Sequence, residues 1–363
     1  GSSAVFRMVF NVWSFHLIFN ILCNAVGSDQ DVNSVRLLHI TDSHISLSNE
    51  APPRSSRMHA AFSRSKHHET KISTTPAQEF AKLVAMAKDI NADVVVLGGD
   101  ILNFPSNSTA TWVLEQLNLA GCGFIFTAGN HDWHLEGQRG AASYDAARVP
   151  ELFSTFRPFF EQSLSSRGSC YDALGHWSSE GLGFLYGCAL VKGLLLLFVD
   201  NSNFQVDDDQ LEFTRLQLAS AAGRRMPVVV LLHIPLQLPG LTLPPKELCG
   251  HQQWGSDTDA LWQVEDRPRW PPANRPSTLA FRELLRAHAA PMGPIAALLS
   301  GHTHEEAAVA LGESDSESCT ATSACWTVES RTGQEPPSQV SDALQYTTRA
   351  AAEGAYRILT ISS

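Results

Sequence analysis

The sequence predicts a mixed α/β domain, and three observations carry that prediction. Short apolar runs alternate along the chain with stretches of helical periodicity, the rhythm of strands and helices laid in layers. Five compact polar blocks each follow directly on one of the apolar runs, where a buried strand would hand over to a loop. The chain has 363 residues, 44% of them hydrophobic and 17% charged, which suits one large globular domain carrying insertions.

Residues 35–41 are strand-like and end at Asp42. Residues 76–90 read as a helix: Thr75 is placed to cap it and Pro76 fits its first turn. Phe80, Leu83, Val84 and Ala87 share one face. Residues 94–97 form the next strand and run into Gly98-Gly99-Asp100. A helix is expected over 111–119, and a strand over 124–127 that delivers Gly129-Asn130-His131. Further on, 183–190 and 194–199 are apolar runs joined by Lys192-Gly193, a hairpin signal. Residues 209–222 read as an amphipathic helix, and 228–232 as a buried strand ending at His233. A helix over 278–289, a strand over 295–299 before Gly301-His302 and a closing strand over 355–361 complete the plan.

Two stretches interrupt it. Residues 235–276 hold eight prolines together with Trp254, Trp262 and Trp270, and a connection this long is usually functional. Residues 311–340 are rich in Ser, Thr and Glu and read as a surface excursion. Both are expected as insertions on a single domain spanning 28–363. Ahead of it, Arg7, the apolar run 8–22 and small residues at Ala25, Val26 and Gly27 have the plan of a signal peptide over 1–27. The polar Asn11, Ser14, His16 and Asn20 within that run also suit an amphipathic anchor or a buried helix. The expected location is the secretory pathway, with the cytoplasm as the alternative and no stable membrane span after cleavage. Without Cys23 six cysteines remain, an even number. Cys319 with Cys325 and Cys170 with Cys188 are near enough to pair, leaving Cys122 and Cys249; six reduced thiols are the competing reading. Asn107-Ser108-Thr109 is a glycosylation sequon in a loop-like stretch.

A net charge of -11 argues against a nucleic-acid-binding surface. An anionic substrate is still compatible, because a bound metal dominates its surroundings. The five polar blocks are Asp42-Ser43-His44, Gly99-Asp100, Gly129-Asn130-His131-Asp132, His233 and Gly301-His302-Thr303-His304. They offer enough oxygen and imidazole donors for two divalent ions side by side, a pairing that can clamp both the attacking and the leaving oxygen of a displacement at phosphorus. A lone histidine or aspartate at a strand end is ordinarily a structural residue or a cap. Five blocks in order over residues 42–304 are not explained that way. His39 is expected to be buried in its strand, and the remaining histidines to be surface or supporting residues.

In order and composition the blocks resemble those of the calcineurin-like metallophosphoesterases: DxH, GD, GNH(D/E), a strand-end His, and GHxH. The resemblance implies a four-layer sandwich of two stacked mixed β-sheets flanked by helices. It implies that Asp42, His44 and His304 hold one metal, that Asn130, His233 and His302 hold the other, and that Asp100 bridges them. The ions would be Mn, Zn, Fe or Co, since mixed N/O ligation does not choose among them. It further implies that His131 protonates the leaving oxygen and that Asp132 orients His131 or raises its pKa. The expected partner is a small phosphate ester, a nucleotide or lipid headgroup among the options, either mono- or diester. A non-catalytic scaffold of the same fold is the alternative, but such members lose ligands or the proton donor, and all of these residues are present here.

Departures narrow the class. Purple acid phosphatases carry a metal-binding Tyr three residues after the bridging Asp, where this chain has Asn103. Protein Ser/Thr phosphatases continue Asp-Arg-Gly, where this chain has Ile101-Leu102-Asn103-Phe104. Residues 51–71 hold Arg54, Arg57, Arg64, Lys66, His67, His68 and Lys71, either a solvated basic loop or one that reaches a second phosphate.

Overall fold

The architecture follows from where the apolar runs place their side chains. In this computed structural model the described residues are 34–47, 74–133, 141–164, 185–243, 247–251, 274–289, 293–311, 327–333, 338–340 and 343–362. The strands are β1 (Ser34–Ile40), β2 (Val94–Leu97), β3 (Gly123–Phe126), β4 (Tyr186–Val191), β5 (Leu194–Val199), β6 (Val228–Leu231), β7 (Ile295–Ser300), β8 (Ala307–Ala310), β9 (Thr327–Thr332), β10 (Ser338–Val340), β11 (Leu344–Thr347) and β12 (Arg357–Ser362). The helices are α1 (Pro76–Asp89), α2 (Asn107–Ala120), α3 (Ala141–Gln162), α4 (Asp208–Arg224) and α5 (Pro276–Ala287).

The strands form two six-stranded mixed sheets, ordered β10-β9-β12-β1-β2-β3 and β4-β5-β6-β7-β11-β8. Within them β1-β2-β3 and β5-β6-β7 are parallel, whereas β4–β5, β8–β11 and β9–β12 are antiparallel. Period-two alternation divides β5 cleanly. Leu194, Leu196 and Phe198 join the core shared with β1–β3, while Leu195, Leu197 and Val199 pack with Leu218 of α4 and Phe281 and Leu285 of α5. A strand buried on both faces has to be apolar throughout, which is why β5 and β6 read as unbroken hydrophobic runs. Helices α1 and α2 pack together, and α3 lies against β3, on the far side of the first sheet. The layers are therefore helices, sheet, sheet, helices, as the family resemblance implied.

Local signals operate where the sequence placed them. Thr75 and Gln78 form a reciprocal capping box at α1. Lys192 and Gly193 both take positive φ, as the tight β4–β5 hairpin requires. Other expectations need correction. Asn107-Ser108-Thr109 is not in a loop but forms the first turn of α2, capped by Ser106. Thr327–Thr332 and Ser338–Val340 supply β9 and β10 to the first sheet, so the polar stretch 311–340 is not purely an excursion. Within 235–276, Leu236, Leu238 and Cys249 are buried in the core beneath α5. Cys122 and Cys249 do not pair with each other; their thiols donate to the carbonyls of Ala92 and Phe204 respectively. Cys188 is buried on β4. Cys170, Cys319, Cys325, the signal-like segment, the basic stretch 51–71 and the three tryptophans of the Pro-rich stretch lie outside the described residues. No helix among the described residues is long and apolar enough to cross a membrane.

Phe198 fills the space between the sheets opposite Gly187, where a Cβ would come within 2.6 Å of its ring. Phe198→Ala is expected to lower stability by about 3–5 kcal/mol through lost burial and a residual cavity. The urea midpoint measures it, and a change below about 1 kcal/mol would show that the sheets do not depend on this contact.

Candidate metal centre

Parallel strands end on one edge of a sheet, so residues just past them gather there. Asp42 and His44 follow β1, Asp100 follows β2, and Asn130 and His131 follow β3. From the other sheet, His233 follows β6, and His302 and His304 follow β7. The loops are laced to one another: Asp42 N–H donates to Gly99 O and His44 N–H to Asp100 O, both at 2.9 Å, and Gly301 N–H donates to His233 O. Asp42, His44, Asp100, His302 and His304 all take left-handed φ, between 45° and 70°. Such backbone costs about 1–3 kcal/mol per residue and persists only where the surroundings enforce it. Glycines make the close approach possible. A Cβ on Gly129 would lie 2.2 Å from Asp100 Oδ1, and one on Gly301 2.2 Å from Asp42 Oδ2.

Two clusters result, joined by a third group of His44, Asp100 and His131 that overlaps both. Asp42, His44 and His304 bring one donor atom each within 4.8 Å of the others, and so do Asp100, His233 and His302. Asp42 Oδ2 is taken by the Thr41 hydroxyl at 2.7 Å and the His302 N–H at 2.9 Å. Its Oδ1 is left facing His304 Nε2 at 3.4 Å. Asp100 Oδ1 accepts the His131 N–H at 2.7 Å, which leaves Oδ2 between His233 Nε2 at 3.2 Å and His44 Nε2 at 4.0 Å. One carboxylate oxygen thus faces imidazoles of both clusters. His44 and His304 Nε2 atoms are 3.0 Å apart.

The donor set fits divalent ions. Asn130 Oδ1 is buried with no hydrogen-bond partner, and Asp42 Oδ1 and His233 Nε2 are buried with only off-geometry contacts to His304 and Asp100, a costly state that a cation would relieve. His233 Nδ1 donates to Gly98 O at 2.9 Å, which turns Nε2 towards Asp100 Oδ2, the edge at which an ion could be held. Burial and neighbouring histidines hold His44 and His302 neutral, with pKa values lowered to about 3. Burial also opposes charge on His233 and His304, but Asp100 outweighs it for the first, raising it to about 10, and Asp42 for the second. The neighbouring imidazoles hold the Asp42 and Asp100 carboxyls well below the usual range against the effect of burial.

Asp132 departs from expectation. Its carboxylate does not orient His131; it accepts the Leu102 N–H at 2.9 Å and the Gly129 N–H at 2.8 Å. Burial and the nearby Asp100 push its pKa up to about 8, against those two donors. Successive residues of the turn point apart, so Asp132 ties the turn together while the Asn103 carbonyl takes His131 Nδ1 at 2.9 Å. Three further residues support the site. Asn201 Oδ1 accepts the His233 and Ile234 N–H groups and its amide donates to Ile234 O, and the indole N–H of Trp133 donates to Asp200. Asp200-Asn201-Ser202 is a polar break directly after β5, the one sequence signal for Asp200 and Asn201. His39 is buried in β1 as expected, with Nδ1 on the Thr348 hydroxyl.

The chain belongs to the calcineurin-like phosphoesterase family, whose model matches residues 35–306, a span that contains all of these blocks. It is accordingly a metallophosphoesterase, an enzyme class that uses divalent metals on phosphate esters. A comparison with curated proteins finds no significant match. Among solved structures the chain is similar to a dimetal phosphatase from Danio rerio, at 12% identity over 89% of this chain and 91% of that one, with a TM-score of 0.49. It is also similar to a purple acid phosphatase from yellow lupin seeds, at 10% identity over 90% of this chain and 45% of that one, TM-score 0.43. TT1561 of Thermus thermophilus matches at 9% identity over 88% and 91%, TM-score 0.38.

Two outcomes are expected. Gly129→Ala should displace Asp100 and lower metal affinity about 10- to 100-fold by calorimetric titration; wild-type affinity would show that the close approach is not required. In metal-free protein the raised His233 pKa contributes stability that is whole below its unfolded value of 6.5 and is lost as pH rises towards about 10. The depressed Asp100 pKa contributes stability above its unfolded value of 3.8 that is lost on acidification. Melting temperature with chelator should therefore fall from pH 6.5 upward by more in wild type than in Asp100→Asn; parallel profiles would refute the pairing.

Proposed function

We propose that this chain hydrolyses a small phosphate ester at a dinuclear centre, in which Asp42, His44 and His304 hold one divalent ion, Asn130, His233 and His302 the other, and Asp100 both. The observation that carries the reading is the Asp100 carboxylate, held on one oxygen by a backbone N–H and open on the other to imidazoles from both clusters. When bound, the two ions supply a water acidic enough to attack at neutral pH and positive charge against the phosphoryl oxygens. Two ions against two carboxylates leave a net charge of about +2, which suits an anionic substrate despite the acidic surface.

The chain's own residues do the rest. Water adds to phosphorus, the ester P–O bond breaks, and the departing alkoxide takes a proton. On this reading His131 gives it; in support, Nδ1–H is committed to the Asn103 carbonyl, which leaves Nε2 as the nitrogen to serve, and the ring stands beside His44 at 4.6 Å. Its backbone N–H has a separate task on Asp100, so truncating the imidazole leaves the bridging carboxylate held. Phe204, at positive φ, lies edge-on to His302 at 5.2 Å and limits that ring's freedom. The unit assigned this activity is the domain 28–363. Its substrate is a phosphate mono- or diester, with nucleotides and lipid headgroups in the range.

The test is hydrolysis of p-nitrophenyl phosphate beside bis-p-nitrophenyl phosphate, with Mn²⁺, Zn²⁺ or chelator. Metal-dependent turnover lost in Asp100→Ala, together with at least one metal by elemental analysis, is the expected result. Absence of turnover with every metal, while both metals bind, would favour the scaffold reading. His131→Ala should keep its metals and lose about 10²- to 10⁴-fold in turnover of an alkyl ester; undiminished turnover would remove His131 from the reaction.

A further inference from the structure

We propose that Trp133 and Asp200 form a strut between the two sheets that positions His131 for proton transfer, an inference that rests on His131 being the proton donor. Trp133 lies two residues beyond His131 and is fully buried, its rings 5.1 Å from Phe156 and 6.5 Å from Phe160 of α3. Packing of that kind asks only for a large apolar side chain. The indole N–H is instead aimed across the sheet boundary at Asp200 Oδ2, a carboxylate that is 2% exposed and lies just past β5. A hydrogen bond from a neutral donor to a buried carboxylate is among the stronger ones, and neither group has water to fall back on.

Each end of the strut is fixed. Asp200 Oδ1 accepts the N–H of Ser202 at 2.9 Å and its hydroxyl, the Asp200 N–H donates to Leu185 O, and its carbonyl accepts from Gln210. At the other end, Asp132 ties the turn to Leu102 and Gly129, and the Asn103 carbonyl holds the His131 ring. Those ties all come from the sheet that carries His131. The tie from Asp200 comes from the opposite sheet, and the next residue, Asn201, holds the His233–Ile234 backbone through one hydrogen bond to His233 and two to Ile234. One short segment therefore sets where His233 stands and how far from it the His131 turn stands. Proton transfer to a leaving oxygen depends steeply on that distance, whereas departure of a group that needs no proton does not.

Leaving-group dependence separates this role from a merely structural one. Wild type, Asp200→Asn, Trp133→Phe and His131→Ala are compared on a p-nitrophenyl ester, whose leaving group departs unaided, and an alkyl ester of the same phosphate class. Both strut variants should keep the metal content and the p-nitrophenyl rate of wild type within a few-fold, while the alkyl-to-aryl rate ratio falls about 10- to 100-fold towards that of His131→Ala. In metal-free protein, NMR should show the His131 Nδ1–H exchanging with water faster in both variants. Should Asp200→Asn fail to fold, Trp133→Phe, which keeps the aromatic packing, carries the comparison.

Equal losses on both esters, loss of metal, or wild-type imidazole exchange would overturn the strut. If His131→Ala lowers the ratio and the strut variants do not, the strut alone is wrong. If His131→Ala leaves the ratio unchanged, the proton-donor reading fails and the strut falls with it.

Discussion

The pairing of the Asp100 carboxylate with imidazoles from both sheets is the constraint around which the rest of the molecule is arranged. A carboxylate this deeply buried is tolerated only when every lone pair has a strong partner. One oxygen is satisfied within its own sheet by the His131 N–H, and the other depends on His233 from the far sheet and His44 from its own. That demand accounts for the left-handed backbone at Asp42, His44, Asp100, His302 and His304, and for glycines where a Cβ would occupy the same space. The apolar interior between the sheets supplies the stability from which such strain is sustained.

The parts of this design that were legible in the sequence are those confined to a few consecutive residues. Asp42-Ser43-His44 or Gly301-His302-Thr303-His304 carries its own ligands and its own turn chemistry, and the apolar run before it announces the strand. β5 and β6 were readable because burial on both faces forces unbroken hydrophobicity, and α1 because its capping box and apolar face agree.

What stayed hidden depended on partners distant in sequence or on weak patterning. The strands β8 and β9 alternate exposed and half-buried or buried residues and lie at or near a sheet edge, so their composition resembles a loop. Helix α3 contains Pro150 and Pro158, residues that argue against a helix interior. Adjacency to His131 suggests a contact for Asp132 that the turn geometry denies, its carboxylate holding Leu102 and Gly129 instead. The Asn103 carbonyl on His131, and Asp200 on Trp133 from 67 residues away, are visible only once the chain is folded. The Cys122–Cys249 pair failed for a similar reason: counting to an even number says nothing about which sheet each thiol belongs to.

The distribution of the proposed ligands over both sheets also orders events during synthesis. A nascent chain that has emerged just past β3 presents Asp42, His44, Asp100 and Asn130, yet lacks the three histidines that complete the two clusters. His302 and His304 are made only after the second sheet's central strands, so neither cluster can close until most of the chain is out. On the proposed dinuclear reading, metal capture would be one of the last steps of maturation, and an ion held at both positions would report that the two halves have met in register.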